Sequence, residues 1–541
     1  MCVIRNTQGK STIVPCYVFR TRNIMITKGI IKQGEYFDSV SLMIVAQELT
    51  KLDGVLEAAV MMGTQENKGI LEASGMLLPE FDRVGDADLL VGVKMEQEEG
   101  FENALQKVDE LLVHLRQRSE DTEDFLPKSL DGAVKQLPDA NLVLVSMPGK
   151  YAAAEAKKAL EQGLHVMIFS DNVPLDQEIA LKQFAKERGL LVMGPDCGTA
   201  IINGVPLAFA NVVNRGNIGI VAASGTGLQE VSCVISNAGA GISQALGTGG
   251  RDVSREVGGL MFLEALNALN QDDQTKIIVL ASKPPHEEVL RKIAGELNKI
   301  EKPIVANFIG ADPEVVRMAG AIPARTLEEA GLIAVALSKD ESPESVTSLL
   351  GQRSSDLRAQ AAEEAEKRRE EQKYLSGLFS GGTLCDEAQF ILRDIIGNVY
   401  SNTPLDPAFQ LDDAWKDREH TVIDLGDDEF TVGRPHPMID FSLRNGRILE
   451  EAQDPEVAVL LLDVVLGYGA HQHPEEELAP FIREAIVAAE EAGRHLTVVC
   501  SITGTHQDPQ DKEKVAQVLR GAGAIVLPSN AAASEFAGYV C

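Results

Sequence analysis

The chain has 541 residues, 44% of them hydrophobic and 24% charged, and its 81 acidic against 50 basic side chains give a formal net charge of −31. That length allows three or four domains with buried cores. The charge argues against a nucleic-acid polymer as main ligand, because a phosphate backbone would be repelled, and no apolar run reaches the roughly 18 residues of a membrane span.

The first 24 residues lack the long apolar core of a secretory signal and read as a tail or a misplaced start. Residues 25–115 alternate short strands and helices ("ITKGIIKQGEYF", "DSVSLMIVAQELTKL", "VLEAAVMMG", "ADLLVGVKM") and predict a small N-terminal α/β domain. The polar run "RQRSEDTEDFLPKSLDG" (116–132) reads as a linker. From 133 to 215, "NLVLVSMPG", "LHVMIFS" and "LLVMGPDCG" alternate with amphipathic helices, the rhythm of right-handed βαβ crossovers and a Rossmann-like sheet.

A third unit, 216–338, opens with "NIGIVAASGTG" and continues through "KIIVLASKPP" and "KPIVANFIG". Residues 339–373 are charged and Ala-rich, which predicts a solvated helical linker. The fourth unit, 374–541, retraces the third: "SGLFSGGTLCDEAQ" matches "GIVAASGTGLQEV", and three further strand-plus-turn segments follow in the same order. Such order implies an internal duplication.

Each repeated turn is a strand, a Ser-Gly-Thr or Ser-Gly-Gly-Thr junction, then a helix. The first N–H groups of that helix lack intrahelical partners, glycine permits close approach, and the dipole favours negative charge. Ser224, Gly225 and Thr226 form one phosphate cup, and Ser380, Gly381, Gly382 and Thr383 the other. Ordinary helix capping is the plainer account of either turn alone.

Two equivalent loops, "GTGGRD" and "GDDEFTVGRPHP", place Arg251 and Arg434 where each can grip an anion by its planar fork, or else pair with Asp252, Asp427 or Asp428. His436 lies between prolines in the second loop. Lys283, Asp196 and Cys197 stand at strand ends and are candidates for binding substrate; Cys197 has no histidine partner in sequence that would make it a nucleophile. His471 and His473 have a spacing that suits a metal, although a solvated loop is the simpler reading and no metal is expected. Seven scattered cysteines without a C-x-x-C pair suit a reducing cytosol, so a cytoplasmic location is expected. No G-x-x-x-x-G-K-[ST] motif supplies a nucleotide site.

As a set these residues resemble a known family. "LLVMGPDCGTAIINGVPLAFANV" with "GNIGIVAASGTGLQE" resembles the α subunit of succinyl-CoA synthetase, and "GLFSGGTLCDE", "DLGDDEFTVGRPHPMID" and "LLLDVVLGYGA" resemble the ligase domain that ends its β subunit. With "FDSVSLM" and "VMMGTQENKGIL" in front, the fusion is identified as a member of the FdrA family. The resemblance implies a CoA-binding-type Rossmann-like domain and two flavodoxin-like ligase domains.

In the synthetase, two helix N-termini hold the phosphate of a phosphohistidine. The stretch here nearest its histidine loop, "RMAGAIPARTLEEAG" (317–331), has no histidine, and Lys283 stands near the place of the acidic residue that steadies it. The resemblance therefore implies direct binding of a phosphate-bearing substrate in a component of oxamate carbamoyltransferase. Carbamoyl phosphate and oxamate would be the substrates, with Arg251, Arg434 and His436 in catalysis. No cofactor is required, and other subunits, a carbamate kinase and an oligomer are expected as partners. The alternatives are an acyl-CoA synthetase subunit of the nucleoside-diphosphate-forming kind, for which CoA binding is possible, and a noncatalytic phosphate- or metabolite-binding scaffold.

Overall fold

A computed structural model describes residues 26–541 except 34–36, 38, 53, 82–83, 86–87, 96–99, 121–126, 128 and 432–434. The tail expected at 1–24 and the candidate Arg434 therefore lie outside the described residues. The chain divides into two units, Met1–Asp124 and Phe125–Cys541.

In the first unit the order is β1 (Ile26–Lys32), α1 (Ser39–Thr50), β2 (Val55–Met62), α2 (Gln65–Ala73), β3 (Leu89–Met95) and α3 (Phe101–Glu120). The antiparallel sheet runs β1-β3-β2. Because side chains alternate along a strand, Leu89, Val91, Val93 and Met95 of β3 pack with α1 and α3, while Leu90 faces Ala59, Leu71, Met76 and Phe81 on the other side. The polar run expected as a linker from 116 begins as the last turn of α3.

The second unit opens with α4 (Leu130–Gln136), β4 (Leu142–Val145), α5 (Gly149–Glu161), β5 (His165–Ile168), α6 (Leu175–Lys186) and β6 (Val192–Met193). The strands make a parallel sheet in the order β4-β5-β6, onto which the alanines of α5 pack closely. Next come β7 (Thr199–Ile202) and β8 (Val205–Ala208). Sequence reading placed this hairpin with the preceding domain, but β7 hydrogen-bonds antiparallel to a strand of the following sheet.

That sheet contains β9 (Arg215–Ala222), then α7 (Gly225–Asn237), β10 (Ile242–Gly247), α8 (Leu260–Gln271), β11 (Ile277–Ser282), α9 (Glu287–Leu297), β12 (Ile304–Phe308), α10 (Pro313–Met318), β13 (Ile322–Pro323) and α11 (Leu327–Ser338). After α12 (Pro343–Ala365) the last part follows: β14 (Tyr374–Phe379), α13 (Gly382–Ile396), β15 (Thr421–Asp424), α14 (Asp428–Thr431), α15 (Ser442–Gln453), β16 (Val457–Val465), α16 (Pro474–Glu491), β17 (Thr497–Thr503), α17 (Lys512–Gly521), β18 (Ile525–Leu527) and α18 (Asn530–Val540).

The strand orders are β13-β12-β11-β9-β10-β7-β8 and β15-β14-β16-β17-β18. Leaving out the hairpin, both are the same parallel 2-1-3-4-5 arrangement of a flavodoxin-like sheet, so the duplication read from sequence is a duplication of topology. The charged segment expected as a solvated helical linker is helical and mostly exposed, but one face of it packs. Val346, Leu357 and Ala361 of α12 are buried, and Arg353 forks onto Glu328 of α11.

One apolar core joins the two sheets, built from Leu228 and Val231 of α7, Leu327 and Ile333 of α11, Leu384 and Leu392 of α13, and Phe536 and Val540 of α18. Within it, each half completes a helix of the other. Glu387 on α13 accepts from Leu327 N–H, the start of α11, at 2.6 Å, and from the Asn530 side chain at 2.8 Å. Glu230 on α7 accepts from Asn530 N–H, the start of α18, at 3.2 Å and from the Thr503 hydroxyl at 2.5 Å. These are the two glutamates of the repeated turn motif, and they act as crossed helix caps. Burial raises the pKa of both, that of Glu387 to about 8. No helix of the described residues is long and apolar enough to cross a membrane.

Candidate functional site at two facing helix starts

The carboxyl ends of β9 and β14 lead directly into α7 and α13, and the two turns meet. Ser224 Oγ lies 2.6 Å from Thr383 Oγ1 and accepts from Gly227 N–H at 2.9 Å as the N-cap of α7. A Cβ on Gly381 would lie 2.9 Å from Thr226 Cγ2, so only glycine lets the helix starts approach this closely.

The two cups differ in what fills them. In the second, Asp463 of β16 accepts from Ser380 N–H at 2.7 Å and Gly381 N–H at 2.8 Å, and the Ser380 hydroxyl donates to both its oxygens at 3.0 Å. Arg444 of α15 steadies Asp463 from behind with bonds of 2.9 Å to Oδ1 and 2.7 Å to the backbone carbonyl. The position of a Cβ on Gly382 is taken by Asp424 Oδ2, at 2.6 Å, and burial pushes the Asp424 carboxyl up to about 7. This helix start therefore already holds the protein's own carboxyl groups. The first cup does not: Gly225 and Thr226 N–H find no acceptor among the described residues, and a Cβ on Gly225 would meet nothing closer than 3.8 Å. Gly382 and Thr383 N–H at the start of α13 likewise find no acceptor among the described residues, so of the paired phosphate cups read from sequence both keep free donors, and α7 is the one with open space in front of them.

Lys283, just past β11, reaches the first turns of α13 and pairs with buried Asp386 at 2.9 Å. Burial opposes its charge, but Asp386 and Asp424 outweigh that and hold the ammonium above its usual range. His436 is partly buried, with its ring centroid 6.1 Å from that of Phe209, and Met438 N–H donates to its Nδ1 at 3.3 Å. Burial and the Arg444 charge push it down to about 4, so it is neutral at physiological pH.

The other described sequence candidates make no side-chain hydrogen bond to the cup residues, although Gly198 and Thr199, just after Cys197, adjoin Gly225. Arg251 pairs with Glu178 at 2.9 Å and donates to Val173 O at 2.9 Å, facing the β4–β6 layer. Its neighbour Asp252 is instead taken by Lys182, at 2.8 Å, and by the start of α8. Asp196, with φ of 55°, is exposed to solvent. Cys197, expected to bind substrate, is instead buried: its thiol points at Thr199 O and Gly247 O, and burial pushes it up to about 12. A thiol so enclosed does not meet a ligand.

The absence of a histidine loop has a topological form. The stretch 317–331 runs from the end of α10 through β13 into α11, and β13 is parallel to β12. Met318 thus precedes β13, at the amino ends of the strands, opposite the cups. At the cup end, β12 is joined to α10 only by residues 309–312, which include no histidine. Sequence reading missed Asp463, Arg444, Asp386 and Asp424. Asp463 alone had a signal, as the single charge inside the apolar run "VAVLLLDVV".

Comparison with known proteins places domains on this frame. Residues 378–540 match the CoA-ligase family, 213–310 the CoA binding domain, and 25–126 the AllF heavy metal-associated domain. The chain is 44% identical over 507 residues to the uncharacterized protein YahF of Escherichia coli, covering 94% of this chain and 97% of that one. It is 28% identical over 200 residues to the ADP-forming succinate–CoA ligase subunit alpha 2 of Archaeoglobus fulgidus, covering 36% of this chain and 68% of the relative. Over 208 residues it is 29% identical to the ADP-forming sulfoacetate-CoA ligase subunit SauD of Bilophila wadsworthia, again 36% and 68%.

The residues do not fit a soft heavy metal in the first unit. Thiolates select such ions, residues 25–126 contain no cysteine, and Met62, Met76 and Met95 are buried in its cores. Nor is a pyrophosphate cradle open where α5 begins, since a Cβ on Gly149 would lie 2.2 Å from Asp171 O.

Proposed function

This chain belongs to the same family as Escherichia coli YahF and joins a CoA-binding to a CoA-ligase domain, and on that premise we propose that it is the acyl-transfer subunit of an acid–CoA ligase of the nucleoside-diphosphate-forming kind. The observation that carries this reading is the free start of α7, set against α13 at the junction of the two ligase halves. Free N–H groups at a helix start bind phosphoryl oxygens and stabilise the charge that develops on them. Lys283 supplies a cation nearby. A nucleotide site would come from a partner subunit, because the sequence contains no phosphate-binding loop of its own.

One observation favours a second reading within the FdrA resemblance. With only residues 309–312 at the cup end of β12, no histidine from that segment reaches the cups to carry a phosphoryl group. Carbamoyl phosphate bound directly on α7 needs none: the amide nitrogen of oxamate attacks its carbonyl carbon and gives up a proton, the bond from that carbon to the phosphate oxygen breaks, and phosphate leaves with the proton.

The test uses protein purified with its co-purifying partners. Thioester formation is followed with ATP, CoA and succinate, and phosphate release is followed with carbamoyl phosphate, with and without oxamate. Gly225→Asp places a carboxylate in the free cup, where a Cβ has room and an acidic residue suits the helix start. We expect thioester formation in the wild type and a loss of about 100-fold in the variant at unchanged stability. Oxamate-dependent release without thioester would move the assignment to carbamoyl transfer. Turnover in neither assay would overturn both, and phosphate binding alone would then indicate a scaffold.

A further inference from the structure

The loop after β16 and the first turn of α16 bring His473, Glu475 and Glu476 together, one ligand atom from each lying within 4.8 Å of the others. Acidic residues at a helix start are ordinarily explained by the dipole, and α16 carries three of them, Glu475, Glu476 and Glu477. The dipole does not explain why Glu475 is buried. Its side chain is 2% exposed, Lys514 Nζ holds Oε1 at 2.6 Å, and Oε2 is enclosed with no hydrogen-bond partner. A carboxylate oxygen enclosed in this way carries the cost of a lost hydrogen bond unless a cation meets it. Nor does the dipole call for His473, which occupies the N-cap position yet makes no side-chain cap bond.

One imidazole nitrogen and two carboxylate oxygens form the donor set of a borderline divalent ion. We propose that His473, Glu475 and Glu476 bind one divalent transition-metal ion of the zinc class, with its remaining position left to water. The same loop is hydrogen-bonded to Ala210 O through Tyr468 N–H and to Met438 O through His471 N–H. A metal there fixes the loop to α16 and braces the segment that holds His436. This site is independent of the anion cups and does not rest on the ligase reading.

Zinc is the probe, and equilibrium dialysis of the full chain is the measurement. His473→Ala and Glu476→Gln alter exposed side chains, so both variants are expected to fold, which circular dichroism checks. The wild type is expected to bind one zinc ion that each variant loses or holds about 10- to 100-fold more weakly, a drop typical of damaged ligation. Zinc is also expected to raise the thermal midpoint of the wild type and not of the variants. A wild type that binds no zinc overturns the proposal. So does zinc retained in full by both variants, which would assign the ion to the cysteines or other histidines.

Discussion

Arg444→Met is expected to destabilise the second unit by about 3–5 kcal/mol, the usual consequence of leaving one member of a buried ion pair behind. Arg444 and Asp463 are both fully buried, and Asp463 also holds Ser380 and Gly381 N–H at the start of α13. Methionine matches much of the arginine stem but supplies no donor, so Asp463 either keeps an unopposed charge or takes up a proton. The second change Asp463→Asn should recover part of the loss, because it removes the stranded charge while retaining one acceptor. Urea unfolding followed by fluorescence of Trp415, the single tryptophan and a member of this unit, measures it. A single variant within 1 kcal/mol of wild type, a limit set by ordinary surface substitutions at about half that, would show that the clasp is not needed.

The second large effect concerns the crossed caps. Glu387→Ala strips the acceptor from Leu327 N–H and from the Asn530 side chain inside the shared core, for an expected loss of about 2–4 kcal/mol. The effect has a pH signature. Burial raises Glu387 from 4.5 to about 8 and Asp424 from 3.8 to about 7, so the stability tied to their neutral forms is complete below the lower values and lost as pH rises through the upper ones. His436 has the opposite sense: pushed down from 6.5 to about 4, it contributes fully above 6.5 and the contribution is lost as pH falls toward 4. The wild-type urea midpoint should therefore decline from weakly acidic pH toward pH 8. In Glu387→Gln, which cannot ionise, that alkaline decline should flatten. Parallel curves for the two proteins would sink the assignment.

The duplication and the βαβ rhythm were legible because they rest on local patterns: buried strands of β-branched residues, helices of matching length, and the same turn twice. The hairpin at 199–208 was legible in principle. Asn203-Gly204, with φ of 50° and 81°, is the turn dipeptide such hairpins favour. What decides the site was not legible, because its partners are far apart in the chain. Asp463 meets residues 82 and 83 positions away, and Glu230 meets Thr503 at a separation of 273. For the same reason the partner of the carboxylate in each repeated turn, a helix start in the other half, was not legible. In α12 the three buried residues were hidden in an Ala- and Glu-rich run whose composition alone reads as solvated.

The crossed caps also set a timetable for synthesis. Glu230 waits for Asn530, 300 residues further along, before its carboxylate has its helix to close. At a ribosomal rate of about 5–20 residues per second, that is an interval of roughly 15–60 s in which the first half has emerged with an apolar helix face still bare. The nascent first half is thus a natural client for a chaperone, and a message truncated before α18 would release a chain that cannot finish either half.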